Sequence, residues 1–227
     1  MSFAREINKG EENMITTETL KVKVMGIGEG LQEIEHKLVL QDNVDIGNTG
    51  GDWFIAMCNS GNKSENEKFA TAVKEAKASG MFVFALITKE ARPCVEDLSS
   101  YADIAINISD DKDEFYMVAK CLIDSYMFPQ IIGLNDGDTE DIYKGYKNCM
   151  VWADSFESIV STSASSMTRE SEYIMFVVMG ENILDIDEIA KLRVDIDNAT
   201  NVGCKCLFLG ENKYIGAEPQ IVVLDLK

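Results

Sequence analysis

The alternation of apolar and polar segments is most regular between residues 51 and 91, where it predicts a strand, a turn, a helix and a second strand. The apolar run 53–58 has the length and composition of a strand buried on both faces, and a second apolar run spans 81–87. Four apolar residues between them recur at three- and four-residue steps, as on the buried side of a helix: Phe69, Ala72, Val73 and Ala76. The pattern therefore predicts a βαβ unit with parallel strands.

A polar turn of six residues follows the first of these strands. Such residues tolerate unusual backbone conformations and present exposed amides and hydroxyls. Ligands of α/β sheets bind beyond the carboxyl ends of the strands, so this turn is the first candidate site. Its residues are Asn59, Ser60, Gly61, Asn62, Lys63 and Ser64.

A second turn, rich in glycine, precedes this unit. The alternating strand 20–25 leads into Gly26, Gly28 and Gly30, and a helical segment follows over 31–38. A glycine turn between a strand and a helix aims backbone amides at phosphate, but it serves tight packing equally well, and both interpretations stay open. Glu29 counts against phosphate, since a carboxylate repels phosphate oxygens.

The remaining pattern extends the α/β organisation. Residues 39–51 are short and turn-like. Residues 144–171 carry the small-residue run 161–166, which is interpreted as a mobile connection. Strands are predicted at 102–108, 173–179, 204–209 and 220–226, and helices from Asp110 to Met127 and over 185–199. The predicted organisation is a loose arm over 1–19, a Rossmann-like domain with a long helix over 20–128, and a smaller α+β subdomain over 129–227.

A carboxylate-rich stretch follows the long helix. Asp138 and Asp141 lie one helical turn apart, which places both on one helix face, and Asn135 precedes them. The stretch either caps the helix that begins near Asp138, or polarises a water molecule or holds a cation. Both interpretations stay open.

Composition excludes several functions. The net charge of −18 argues against nucleic acid and anionic lipid as partners. One histidine, His36, leaves no material for a Ser-His-Asp triad or a histidine zinc site. Cys204 and Cys206 lack a second pair, so core packing is expected there and no metal site. Without a signal peptide or a membrane-length apolar run, we expect a cytoplasmic protein with reduced thiols and no direct membrane contact.

The order of these segments resembles that of FtsZ, the bacterial tubulin homologue, over most of residues 20–227. KVKVMGIGEG is similar to the family's first strand and glycine loop, and 51–91 follows its signature unit, in which a strand meets a GGGTGTG turn. Residues 171–227 follow the family's activation subdomain. The resemblance implies an α/β fold in which a Rossmann-like parallel sheet is joined by a long central helix to a smaller α+β subdomain.

The resemblance also implies nucleotide-binding roles. Gly26, Gly28 and Gly30 would face the phosphates of GTP or GDP, bound with Mg²⁺, and the six-residue polar turn would replace the signature turn. Asp113 matches the residue near the guanine base.

Catalytic and partner roles follow from the same resemblance. Asn135, Asp138 and Asp141 match the family's N-x-D-x-x-D loop with one inserted residue, and an ungapped alternative pairs Asn135 with Asp138. That loop acts on the nucleotide of the next subunit, so the expected partner is the chain itself or an FtsZ, in head-to-tail contact. The chain stops at Lys227, near its last strand, so we expect no tail for membrane anchors.

Departures from the family pattern shape the expected activity. The polar turn keeps one glycine, Glu29 stands where the family has glycine, and the segment before Gly51 is short. An added β-carbon and a carboxylate both disfavour phosphate, which predicts weak GTP binding and weaker or lost hydrolysis. Three hypotheses follow: a divergent FtsZ-like protein that acts by association, a functional polymerising GTPase, and an unrelated Rossmann-like binder of another nucleotide or a small anion.

Overall fold

The computed structural model describes residues 21–41, 44–91, 98–109, 112–127, 148–155, 158–164, 172–179, 185–211 and 220–226. Its strands are β1 Val22–Ile27, β2 Val44–Ile46, β3 Trp53–Cys58, β4 Phe82–Ile87, β5 Ile104–Asn107, β6 Asn148–Ser155, β7 Glu172–Met179, β8 Cys204–Glu211 and β9 Gln220–Leu226. Its helices are α1 Leu31–Leu38, α2 Lys63–Ala78, α3 Lys112–Met127, α4 Ile159–Ala164 and α5 Ile186–Thr200, with a 3₁₀ turn at Leu98–Ser100.

The described strands form one nine-stranded sheet in the order β2-β1-β3-β4-β5-β6-β9-β7-β8. Strands β1 to β6 run parallel to one another, and β7 runs parallel to β8, while β9 is antiparallel to both β6 and β7. The parallel half with its crossover helices confirms the predicted α/β, Rossmann-like class.

The predicted βαβ unit is present as β3, α2 and β4. All six residues of β3 are buried, because helices cover both faces of the sheet at this strand. Helix α2 begins at Asn62, whose side chain accepts from the N–H groups of Ser64 and Glu65, and a left-handed Gly80 follows its end.

The crossover helices lie on opposite faces. Helices α1 and α3 pack with Trp53 and Phe84 on one face, whereas Phe69 of α2 packs with Phe54 on the other. A third core forms around Tyr173 between the sheet and helices α4 and α5.

Helix α3 spans the two halves of the sheet. It contacts α1 in the first half and β7, β8 and β9 in the second. Its residues 118–124 are all buried, as expected for a helix covered on several sides. The long central helix of the predicted fold class is therefore confirmed. The proposed division of the chain at residue 128 stays a prediction.

Two predictions from the pattern were wrong. The stretch 39–51 contains strand β2, which pairs in parallel with β1, but its three residues are too few to show a two-residue alternation. The small-residue run 161–166, interpreted as a mobile connection, is helical in α4 as far as Ala164, and strand β6 precedes it where no strand was predicted. Strand β6 joins the halves by pairing with β5 on one side and β9 on the other. Among the described helices, none is long and apolar enough to cross a membrane.

Candidate functional site

A cleft of about 850 Å³ lies at the carboxyl edge of the sheet, between the turns that follow β1 and β3. Ile27 and Cys58 end these strands and are paired in register, so the two turns start side by side. Helices α1 and α2 then leave toward opposite faces, which opens the crevice where α/β sheets bind ligands. The cleft is lined by Ile27, Gly28, Glu29, Gln32, Asn59, Ser60, Gly61, Glu65, Lys68 and Lys112.

Gly26 lies inside β1, and packing explains why it is glycine. A β-carbon here would lie 2.7 Å from the Leu31 Cβ and 2.8 Å from the Leu31 carbonyl oxygen, closer than real contacts allow. Its N–H donates to the buried carboxylate of Glu35. Burial raises the pKa of Glu35, and the Gly26 hydrogen bond and the nearby His36 oppose that rise. Gly26 thus ties α1 to the sheet.

Gly28 and Gly30 form the first turn proper, and each has a positive φ, 126° and 78°. A β-carbon on Gly28 would overlap the side chain of Asn59, and one on Gly30 would lie 2.5 Å from Lys112 Nζ. Both glycines therefore allow side chains from other elements to approach the turn closely.

The second turn is held by its own polar groups. Ser60 donates its hydroxyl to Glu65 and accepts from the Asn62 N–H at 3.0 Å. The buried Asn66 side chain donates to the carbonyls of Ser60 and Asn62 at 2.8 and 3.0 Å. These hydrogen bonds fix the turn without a ligand.

Asn59 connects the two turns. Its backbone N–H donates to the Ile27 carbonyl at 3.3 Å, and its side-chain Nδ2 donates to the Glu29 carbonyl at 3.1 Å. Its Oδ1 lies against Gly28 and is buried, with no hydrogen-bond partner among the described residues. The side chain therefore occupies the crevice between the strand ends.

Charges of both signs line the cleft. Lys68 and Lys112 contribute ammonium groups, and Glu29 and Glu65 contribute carboxylates. Lys112 Nζ lies 3.7 Å from Glu29, and that carboxylate is 94% exposed, so the pair is solvated and weak. The lining has no net formal charge, so it lacks the excess of cationic side chains that a polyphosphate needs.

The two helices that start at the cleft differ at their N-termini. Helix α2 is capped by Asn62, whereas α1 begins at Gly30 and receives no side-chain cap from the described residues. An uncapped helix start presents N–H groups and a partial positive charge, which favour an anion.

Four of the predicted nucleotide-binding residues line the cleft: Gly28, Asn59, Ser60 and Gly61. The other described ones are not part of the lining. Gly26 is within β1, Gly30 contacts Lys112, and Asn62 caps α2. Lys63 and Ser64 are exposed in the first turn of α2, and Asp113 is exposed in the first turn of α3. The predicted catalytic residues Asn135, Asp138 and Asp141 lie outside the described residues. All these roles stay predictions.

The sequence pattern did not single out four polar lining residues. Gln32, Glu65 and Lys112 lie in the first turns of their helices, at the same edge of the sheet as the strand ends. Searching the first turn of each helix after a parallel strand would have found them. Lys68 lies in the second turn of α2, and only the fold brings it to the cleft.

Comparison with known proteins shows which fold the chain shares. No protein-family model matches the sequence, and no curated protein matches it. Several solved structures match the structure of the chain. An FtsZ dimer from M. jannaschii, described as empty, has a TM-score of 0.71 and 11% identity, with coverage of 92% of this chain and 88% of that chain. A second M. jannaschii FtsZ structure has a TM-score of 0.70, 11% identity and coverage of 92% and 91%. A CetZ from Methanosaeta thermophila strain DSM 6194 has a TM-score of 0.61, 12% identity and coverage of 92% and 86%.

The sheet order, the crossover helices and the cleft at the strand ends define a Rossmann-like α/β protein. The structural similarity over 92% of the chain specifies this further as the fold of FtsZ and tubulin. The resemblance seen in the sequence is therefore confirmed at the level of the fold. Identities of 11 and 12% support the fold alone and leave the activity as a proposal.

Proposed function

We propose that this chain is a divergent FtsZ/tubulin-type protein with eroded GTP-binding turns. It acts by head-to-tail association with itself or with an FtsZ, in cell division or a related cytoskeletal process in the cytoplasm. One observation carries the proposal. The polar groups of the two turns bind one another: Asn59 donates to Glu29, Ser60 to Glu65, and Asn62 caps α2.

Phosphate chemistry supports this reading of the turns. A triphosphate needs several convergent N–H groups or cations, and cleft residues already engaged with one another supply few. Glu29 and Glu65 also place carboxylates along the lining, where they repel phosphate oxygens. GTP turnover is therefore weak or lost, and the fold serves assembly.

Nucleotide titration tests the first half of the proposal. Calorimetry of nucleotide-free protein with GTP and GDP, in the presence of Mg²⁺, is expected to show no binding at micromolar concentrations. Micromolar or tighter binding would contradict the eroded turns and favour the polymerising GTPase.

Sedimentation velocity at rising protein concentration tests the second half. Without nucleotide, the protein is expected to self-associate or to co-sediment with an added FtsZ. Lys68→Glu reverses an exposed charge at the cleft and should weaken assembly, since the cleft face would meet the next subunit. The matched control is Lys191→Glu on α5, which is also exposed but lies outside the cleft lining. A protein that stays monomeric alone and does not co-sediment with FtsZ would contradict the proposal.

A second candidate function is a GTP-binding, polymerising GTPase. The uncapped start of α1 beside the cleft favours it, because these N–H groups are suited to an anion. In that case Asp138 and Asp141 act on the nucleotide of the neighbouring subunit. Measurable GTP hydrolysis at high protein concentration, lost in Asp138→Asn and Asp141→Asn, would establish it. The third hypothesis, an unrelated Rossmann-like binder, is disfavoured by the FtsZ-like fold.

A further inference from the structure

The side chain of Asn59 fills the crevice at the point where the two turns come closest. Its Nδ2 reaches across to the Glu29 carbonyl at 3.1 Å, and its Oδ1 lies where a β-carbon of Gly28 would be. The crevice between diverging connections is the usual ligand position in α/β sheets. A residue of this chain therefore occupies the place of a ligand.

The side-chain contacts of Asn59 give the folded protein no net stabilisation. The Nδ2 hydrogen bond is favourable, but Oδ1 is buried without a partner among the described residues, and a buried unpaired acceptor is unfavourable by at least as much. Turning the amide over would not help, because Oδ1 would then face the carbonyl oxygen of Glu29. An unsatisfied buried group at a ligand position calls for an explanation other than stability.

We propose that Asn59 is the specificity-determining residue of the cleft, an internal plug that keeps phosphate groups out of the crevice between the two turns. Its bulk fills the space that phosphate oxygens would have to enter between the two turns. The inference rests on the proposed function, since it identifies the side chain that closes the eroded site. Removing the plug exposes the crevice next to the uncapped start of α1 and the ammonium of Lys112.

The test is the variant Asn59→Gly, titrated by calorimetry with inorganic pyrophosphate and with GTP in the presence of Mg²⁺. Pyrophosphate affinity is expected to rise about tenfold or more over the wild type. The Tm is expected to equal or exceed that of the wild type, because an unpaired buried acceptor is removed along with one hydrogen bond. Asn59→Ala, which keeps the backbone stiffer, should retain most of the gain in affinity.

Asn48→Gly provides the matched control. Asn48 donates to Glu75 at 2.8 Å through its side chain and lies outside the cleft lining, so this variant loses one hydrogen bond without opening the crevice. It should bind pyrophosphate no better than the wild type. Glu29→Gln added to Asn59→Gly should raise the affinity further, since it removes a carboxylate and releases Lys112 from its partner.

Two outcomes overturn the plug. One is that Asn59→Gly and Asn59→Ala bind pyrophosphate no more tightly than the wild type. The other is that their Tm values fall below that of Asn48→Gly. Failure here is distinguishable from failure of the proposed function. Nucleotide-free assembly of the wild type is measured separately by sedimentation, and it does not depend on what the variants bind.

Discussion

The turns of the strand–turn–helix units β1–α1 and β3–α2 lie at the same edge of the sheet, but their backbone groups are satisfied in different ways. The first turn keeps two positive-φ glycines, and its helix starts at Gly30 without a side-chain cap from the described residues. The second turn has Asn62 as its cap and a network of asparagine and serine hydrogen bonds. The first helix start is left without a side-chain cap, and the second turn is capped and hydrogen-bonded by its own side chains.

This difference concerns how each turn satisfies its own backbone. In the second turn, asparagine and serine side chains pair with backbone amides and carbonyls without a ligand. Gly26, in β1 just before the first turn, is required by helix packing whether or not phosphate binds. Its presence is therefore poor evidence of nucleotide binding.

The largest expected effect tests whether Gly26, near the end of β1, serves packing or binding. Gly26→Ala should destabilise the protein by about 3 kcal/mol, the upper end for overpacking, because two of the three nearest atoms belong to the Leu31 backbone. Chemical denaturation measures this. The control is Gly61→Ala in the second turn, where no atom lies within 4 Å of the added β-carbon and φ is not positive, so stability should change by less than about 0.5 kcal/mol. Equal losses in the two variants would contradict the packing role.

The next effect concerns the cap of the second unit. Asn62→Ala removes the acceptor for the N–H groups of Ser64 and Glu65 and should lower stability by about 1 kcal/mol. Asn62→Asp retains the acceptor and adds a charge that suits a helix N-terminus, so it should match or exceed the wild type. Thermal unfolding of both variants provides the measurement. If Ala and Asp behave alike, the cap does not hold this turn.

These energetic differences also explain how far the sequence could predict the molecule. Strands with long apolar runs such as 53–58 and helices with clear periodicity such as 63–78 were predictable, because local pattern and burial agree there. Strand β6 was missed because NCMVWADS mixes polar and apolar residues before a small-residue run, and its role comes from pairing with β5 and β9. The glycine and asparagine turns were predictable as a candidate site. The link from Asn59 to Glu29 was not, since it depends on the register between β1 and β3.

The smallest expected effect tests the buried carboxylate behind the first turn. Glu35 accepts from the Gly26 N–H, and burial raises its pKa above the ordinary value of 4.5. A raised folded-state pKa means that the folded chain holds more protons than the unfolded chain between the two values. The contribution of Glu35 to stability is then greatest below the ordinary value and falls as pH rises through the raised one.

Glu35→Gln keeps the shape and the acceptor oxygen but removes the titration. The stability of the variant relative to the wild type should increase as pH rises above 4.5 and then level off, whatever constant offset the amide introduces. Urea unfolding of both proteins across that pH range measures the difference, and the other carboxylates cancel because both chains carry them. A difference that stays flat with pH would mean that the Gly26 hydrogen bond fully compensates for burial. In that case Glu35 connects α1 to β1 with no net cost for burying its ionised carboxylate. The backbone before the first turn would then be satisfied by the chain's own side chains, as the second turn is.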